Sequence, residues 1–131
     1  MILSVLPGIT SGSMVNKPKI KGTAFESLVR DYLRQWWPNA TRPALSGRKD
    51  VGDIINVPFV VEAKAVRKFA LSEWMKELDK EKINAGMDIG FVVVKRPNQG
   101  VHKAYAVMEL QDMVDLLVRK GNVQNDIHDS L

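Results

Sequence analysis

The sequence contains no cysteine, which excludes disulfides and thiolate metal sites and leaves oxygen or histidine as ligands for any metal. Histidine is scarce as well: His102 sits in a loop and His128 in a polar tail, too far apart to read as a ligand pair. No apolar run approaches the roughly 20 residues that a membrane span requires, so no membrane partner is expected. The opening Met1-to-Leu6 stretch is apolar but short, lacks a basic lead-in and breaks at Pro7-Gly8, which makes it a poor secretion signal. These absences fit a reducing cytoplasm, the expected compartment. No internal repeat is visible, Gly86 and Gly90 do not make a phosphate-binding loop, and no nucleophilic triad stands out. What is present in excess is positive charge: the net value of +4 favours an anionic partner.

A chain of 131 residues fits one domain with one core. Residues 1–20 read as a flexible basic lead, with Lys17, Lys19 and Lys21 free of acidic neighbours and Met14 after Ser11-Gly12-Ser13 as a candidate native start. Residues 21–121 read as the domain and residues 122–131 as a polar tail. From Thr23 to Trp36 the residues Phe25, Leu28, Val29, Tyr32, Leu33 and Trp36 recur at the spacing of one helix face, and Pro38 bounds it. Arg42 to Ser46 suggests a short strand. Two strand signals follow, Asp53 to Val57 and Phe59 to Val66, joined around Asn56-Val57-Pro58. The pattern then predicts a helix from about Leu71 to Ala85, with Ser72 as N-cap and Gly86 as the stop. Ile89 to Lys95 is a β-branched and aromatic run typical of a doubly buried strand. Lys103 to Met108 reads as another strand. A last helix from about Leu110 to Lys120 carries Leu110, Met113, Val114 and Leu117 on one stripe and stops at Gly121. The order α, β, β, β, α, β, β, α describes an α/β domain with a mixed central sheet flanked by helices.

Chemistry concentrates in Phe59-Val60-Val61-Glu62-Ala63-Lys64. Side chains alternate across a strand, so Val60, Glu62 and Lys64 share one face. If the preceding strand pairs as a hairpin, Asp53 reaches Glu62. Two carboxylates converging at a strand end make an oxygen-ligand site for Mg²⁺, with Mn²⁺ as a substitute. A neighbouring lysine can hold or activate a metal-bound water and offset phosphate charge. Glu-x-Lys is also a common solvated strand face with a weak ion pair. Two local facts favour the chemical reading. Apolar residues surround Glu62 on both faces, as in a central strand where an idle charge is costly. Gly52 ahead of Asp53 lets the backbone turn sharply.

Asp53, Glu62 and Lys64 resemble the bipartite motif of the PD-(D/E)XK nucleases, whose core order is α-β-β-β-α-β. Across residues 19 to 108 the pattern is similar to Holliday-junction resolvases of archaeal and phage type. The pieces that carry the likeness are Lys21-Gly22-Thr23-Ala24-Phe25-Glu26, Ser46-Gly47-Arg48-Lys49-Asp50-Val51-Gly52-Asp53, Val61-Glu62-Ala63-Lys64 and Val94-Lys95-Arg96. Gly52 stands where the family's name has proline. The resemblance implies a restriction-endonuclease-like fold and Mg²⁺-dependent endonuclease action on branched DNA, most of all four-way junctions. It further implies that Asp53, Glu62 and the Ala63 carbonyl hold the metal, that Lys64 positions or activates the attacking water, and that the protein is a homodimer.

An acidic residue on the first helix approaches the metal in that family, which makes Glu26 a fourth catalytic candidate. Thr23-x-x-Glu26 is equally a capping box, and the two roles compete for one carboxylate. Arg42, Ser46, Arg48 and Lys49 before Asp53, Arg67 and Lys68 after Lys64, and Lys21 form a candidate DNA-backbone footprint. Two other functions stay open: a nuclease of the same superfamily acting on duplex, flaps or ends, and a DNA-binding module without chemistry.

Overall fold

The computed structural model describes residues 10–44 and 49–129, with side chains for residues 22–44 and 49–121. Its elements run α1 (Thr10–Leu33), β1 (Val60–Lys64), α2 (Leu71–Ala85), β2 (Gly90–Val94), β3 (Tyr105–Val107) and α3 (Leu110–Asp129), with a 3₁₀ turn at Val101–Lys103 before β3. β1 pairs parallel with β2, and β2 pairs antiparallel with β3, which gives a mixed three-stranded sheet in the order β1-β2-β3. The fold is α/β, as expected, but with fewer strands. The strand expected from Asp53 to Val57 reduces to two isolated antiparallel bridges, Thr41 with Ile55 and Ile54 with Val61. Of the strand expected from Arg42 to Ser46, residues 42–44 are not strand and 45–46 lie outside the described residues. Gly52 and Asn56 both take positive φ, at 102° and 65°, and Pro58 follows, so extended backbone cannot persist there.

Alternation along β1 sorts its residues between two clusters. On one face Val61 and Val93 pack with Phe25, Val29 and Leu33 of α1 and with Ile54. On the other, Val60, Val92 and Val94 meet Trp74 and Leu78 of α2. Aromatic contacts close one edge of the α1 side, with Trp37 edge-on to Phe59 at 4.9 Å and Phe59 stacked on Phe91 at 5.1 Å. Of the residues expected on the first helix stripe, Leu28 is exposed and Trp36, past the helix end, is 56% exposed. Trp36 instead sits edge-on to Tyr32 at 5.2 Å.

Helix ends also differ from expectation. α1 begins at Thr10 and passes through Thr23, so residues 10–20 are helical and Thr23 is interior. The capping-box role of Thr23 and Glu26 is therefore excluded, because the Glu26 amide lies within the helical ladder. The N-cap of α2 is Ala70, without a side-chain hydrogen bond, rather than Ser72, while Gly86 ends the helix in the left-handed conformation as expected. α3 continues through Gly121 to Asp129, and its expected core stripe faces outward: Leu110, Met113, Val114 and Leu117 are all exposed. Both sheet faces are already covered, by α1 and α2. α3 is tied to α2 by Lys82 Nζ, 2.7 Å from the buried Asp112 carboxylate and 4.0 Å from Glu109.

Candidate active site

Asp53 reaches β1 because the backbone before it lies against the strand. A Cβ at Gly52 would stand 2.8 Å from the Val61 carbonyl oxygen and 3.0 Å from Val60 Cγ1, so only glycine permits this approach. The Asp53 amide then donates to the Val61 carbonyl at 2.7 Å, and the Ala63 amide donates to Asp53 Oδ2 at 2.8 Å. Asp53 thus occupies the outer edge of β1, pairing once through its backbone amide and once through its side chain. The hairpin expectation holds to the extent of the bridge at Ile54 and these two bonds.

Glu62 and Lys64 project on the α2 face. Glu62 is only 5% exposed. Lys64 Nζ donates to Glu62 Oε2 at 3.0 Å and to Glu77 Oε1 of α2 at 2.8 Å. An ammonium has three N–H donors, so one remains for a water or phosphate oxygen. Burial alone would lower the Lys64 pKa, but its Glu77 and Glu62 partners raise it above the usual value and keep it charged. Glu62 Oε1 is buried and finds no hydrogen-bond partner among the described residues. Burial, with Glu77, Asp53 and Glu81 alongside, pushes the Glu62 carboxyl up to about 11. Burial also raises Asp53.

Glu26 approaches from α1. Its carboxyl is raised by burial and then by the charge of Asp53, which places the two acids close together. Arg42 offsets this with a contact of 3.1 Å to Glu26 Oε1. Arg42, expected on the DNA footprint, is thus engaged with Glu26 within the fold. Lys49, Arg67 and Lys68 are exposed. Ser46 and Arg48 lie outside the described residues, and Lys21 lies in α1 beyond the described side chains.

Three residues of the neighbourhood were not read from the sequence: Asp50, Glu77 and Glu81. The signal was available for Glu81. Along α2 the inward positions run Leu71, Trp74, Leu78, Glu81 and Ala85 at alternating spacings of three and four, with a carboxylate where the pattern asks for an apolar residue. Buried charge at such a position points to a site. Glu77 sits one turn before it on the same side. Burial raises the Glu81 carboxyl to about 8.

A second surface lies where the chain leaves β1 and β2. Lys95 N donates to the Lys64 carbonyl at 2.9 Å, and beyond it Arg67, Lys95 and Arg96 line a groove with Phe69 and Tyr105. The Arg96 guanidinium lies 4.7 Å from the Tyr105 ring centroid.

The donor set around β1 consists of carboxylate oxygens with one cation among them, suited to a hard divalent ion. Comparison with protein-family profiles, curated proteins and solved structures returned no match for the chain.

Proposed function

We propose that the protein is a Mg²⁺-dependent endonuclease of the PD-(D/E)XK type acting on branched DNA. The observation that carries the reading is the convergence of Asp53, at the outer edge of β1, with Glu62 and Lys64 on its α2 face, where a buried oxygen of Glu62 lacks any donor among the described residues. That orphaned oxygen is what a metal ligand looks like before its ion arrives, because leaving it idle is costly. Asp53 and Glu62, with the Ala63 carbonyl, would hold Mg²⁺ or Mn²⁺. When bound, the ion lowers the pKa of water and offsets charge on the scissile phosphate.

The chain's own residues do the rest. Lys64, held charged by Glu62 and Glu77, directs its third N–H at the attacking water or a phosphate oxygen, so it orients and stabilises rather than removing a proton. Glu26 adds negative charge beside Asp53, and Arg42 fixes its carboxylate. The groove of Arg67, Lys95 and Arg96 offers phosphate contacts next to the Lys64 end of β1. A four-way junction is cut on two strands, so the reading asks for a homodimer, and the exposed apolar residues of α3 supply a surface for one.

Labelled four-way junction, flap and linear duplex, incubated with and without Mg²⁺, test the proposal. Paired symmetric nicks confined to the junction are expected. Cutting of flap or duplex alone moves the assignment to another substrate, and no cutting with Mg²⁺ or Mn²⁺ overturns the nuclease reading. Asp53→Asn and Lys64→Ala are each expected to lower cleavage at least about a hundredfold while DNA binding persists. Equal loss of binding and cleavage would assign both residues to the fold instead.

A further inference from the structure

Beside the Asp53–Glu62 pair, Asp50, Glu77 and Glu81 each bring one carboxylate oxygen within 4.8 Å of the others. Acidic groups gather on many surfaces, but Glu81 differs from such groups. It is only 1% exposed, and neither of its side-chain oxygens has a hydrogen-bond donor among the described residues. A buried carboxylate in that condition is costly unless a proton or a cation joins it. The surrounding bonds hold the cluster in place. Asp50 is fixed by Asn84 Nδ2 donating to its carbonyl at 2.8 Å and by the Gly52 amide donating to Oδ1 at 3.0 Å. Glu77 is fixed through Oε1 by Lys64 at 2.8 Å. Both carboxylates have a second oxygen, and the three residues line a cleft open to solvent, which gives an ion a route in.

We propose that Asp50, Glu77 and Glu81 form a divalent-cation site of all-oxygen type, adjoining the Asp53–Glu62 pair and linked to it by the Lys64 ammonium, which contacts both Glu62 and Glu77. Three carboxylates without nitrogen or sulfur suit Mg²⁺, Mn²⁺ or Ca²⁺ over softer ions. The site stands on its own geometry and does not require Asp53 to be catalytic.

Mn²⁺ titration of the full chain, following free Mn²⁺ by electron paramagnetic resonance, tests it, with circular dichroism confirming the fold of each variant. The wild-type protein should take up two ions per chain. Glu81→Gln and Asp50→Asn should each lose one, or weaken it at least about tenfold, while Asp53→Asn loses the other. The double variant Asp53→Asn, Glu81→Gln should bind none. Unchanged uptake in Glu81→Gln and Asp50→Asn overturns the proposal, as does wild-type protein that binds no Mn²⁺. Loss in Asp53→Asn alone removes this site and leaves the Asp53 reading intact. Loss in Glu81→Gln and Asp50→Asn alone does the opposite. Should Glu81→Gln fail to fold, Asp50→Asn decides, since Asp50 is exposed.

Discussion

α2 and α3 look alike as sequences and are used in opposite ways. Both have an apolar stripe at helical spacing and both follow a strand. α2 presses Trp74 and Leu78 onto the sheet and buries Glu81 with them. α3 leaves Leu110, Met113, Val114 and Leu117 exposed, and among its described side chains the one it buries is Asp112, against Lys82. The difference lies in what surface is left to cover. β1 and β2 offer one face to α1 and the other to α2, and by the time the chain reaches α3 both are taken. Periodicity reports that a helix has an apolar face; it does not report whether that face finds a partner within the chain.

The contrast can be broken most directly at Leu78. Leu78→Ala is expected to cost about 2–5 kcal/mol in urea unfolding, because the side chain is fully enclosed between α2 and the sheet. A cost near zero would mean that α2 is not packed as described. Next in size is a pH effect in which α2 takes part through Glu81, alongside the raised carboxyls of Glu62, Asp53 and Glu26. The Glu81 carboxyl, raised to about 8 from an ordinary 4.5, binds its proton more tightly folded than unfolded. Its contribution is therefore full below the ordinary value and is lost as pH rises through the folded one. In chelator the thermal midpoint should fall between about pH 5 and 9, and Glu81→Gln should flatten the part of that fall near 8. A midpoint that rises over this range contradicts the burial of Glu81. Smallest is Leu117→Ala on α3, expected to change unfolding by no more than about 0.5 kcal/mol in dilute protein. A penalty matching that of Leu78 would show α3 packed against something, and a dependence on protein concentration would identify a second copy.

The features most legible in the sequence were those set by local chemistry. The β-branched run of β2, the stripe of α2 and the left-handed stop at Gly86 each depend on neighbours along the chain. Asp53, Glu62 and Lys64 were also legible, since strand alternation and one turn suffice to bring them together. Glu81 left a signal, a carboxylate at an inward position of α2, but Glu77 did not, because its place in the site depends on α2 crossing the strand, a long-range fact. The same limit governs Arg42, whose partner Glu26 belongs to another element. The strand expected from Asp53 to Val57 gave way to bridges because positive φ at Gly52 and Asn56 interrupts any extended run.

Gly52 also sets a rule of substitution for the turn it occupies. Proline is locked near φ −65° and has no amide hydrogen. Here the backbone is at +102° and its N–H is spent on Asp50 Oδ1. Proline cannot occupy this turn, on either count. Glycine at position 52 couples the loop that delivers Asp53 to the carboxylate of Asp50.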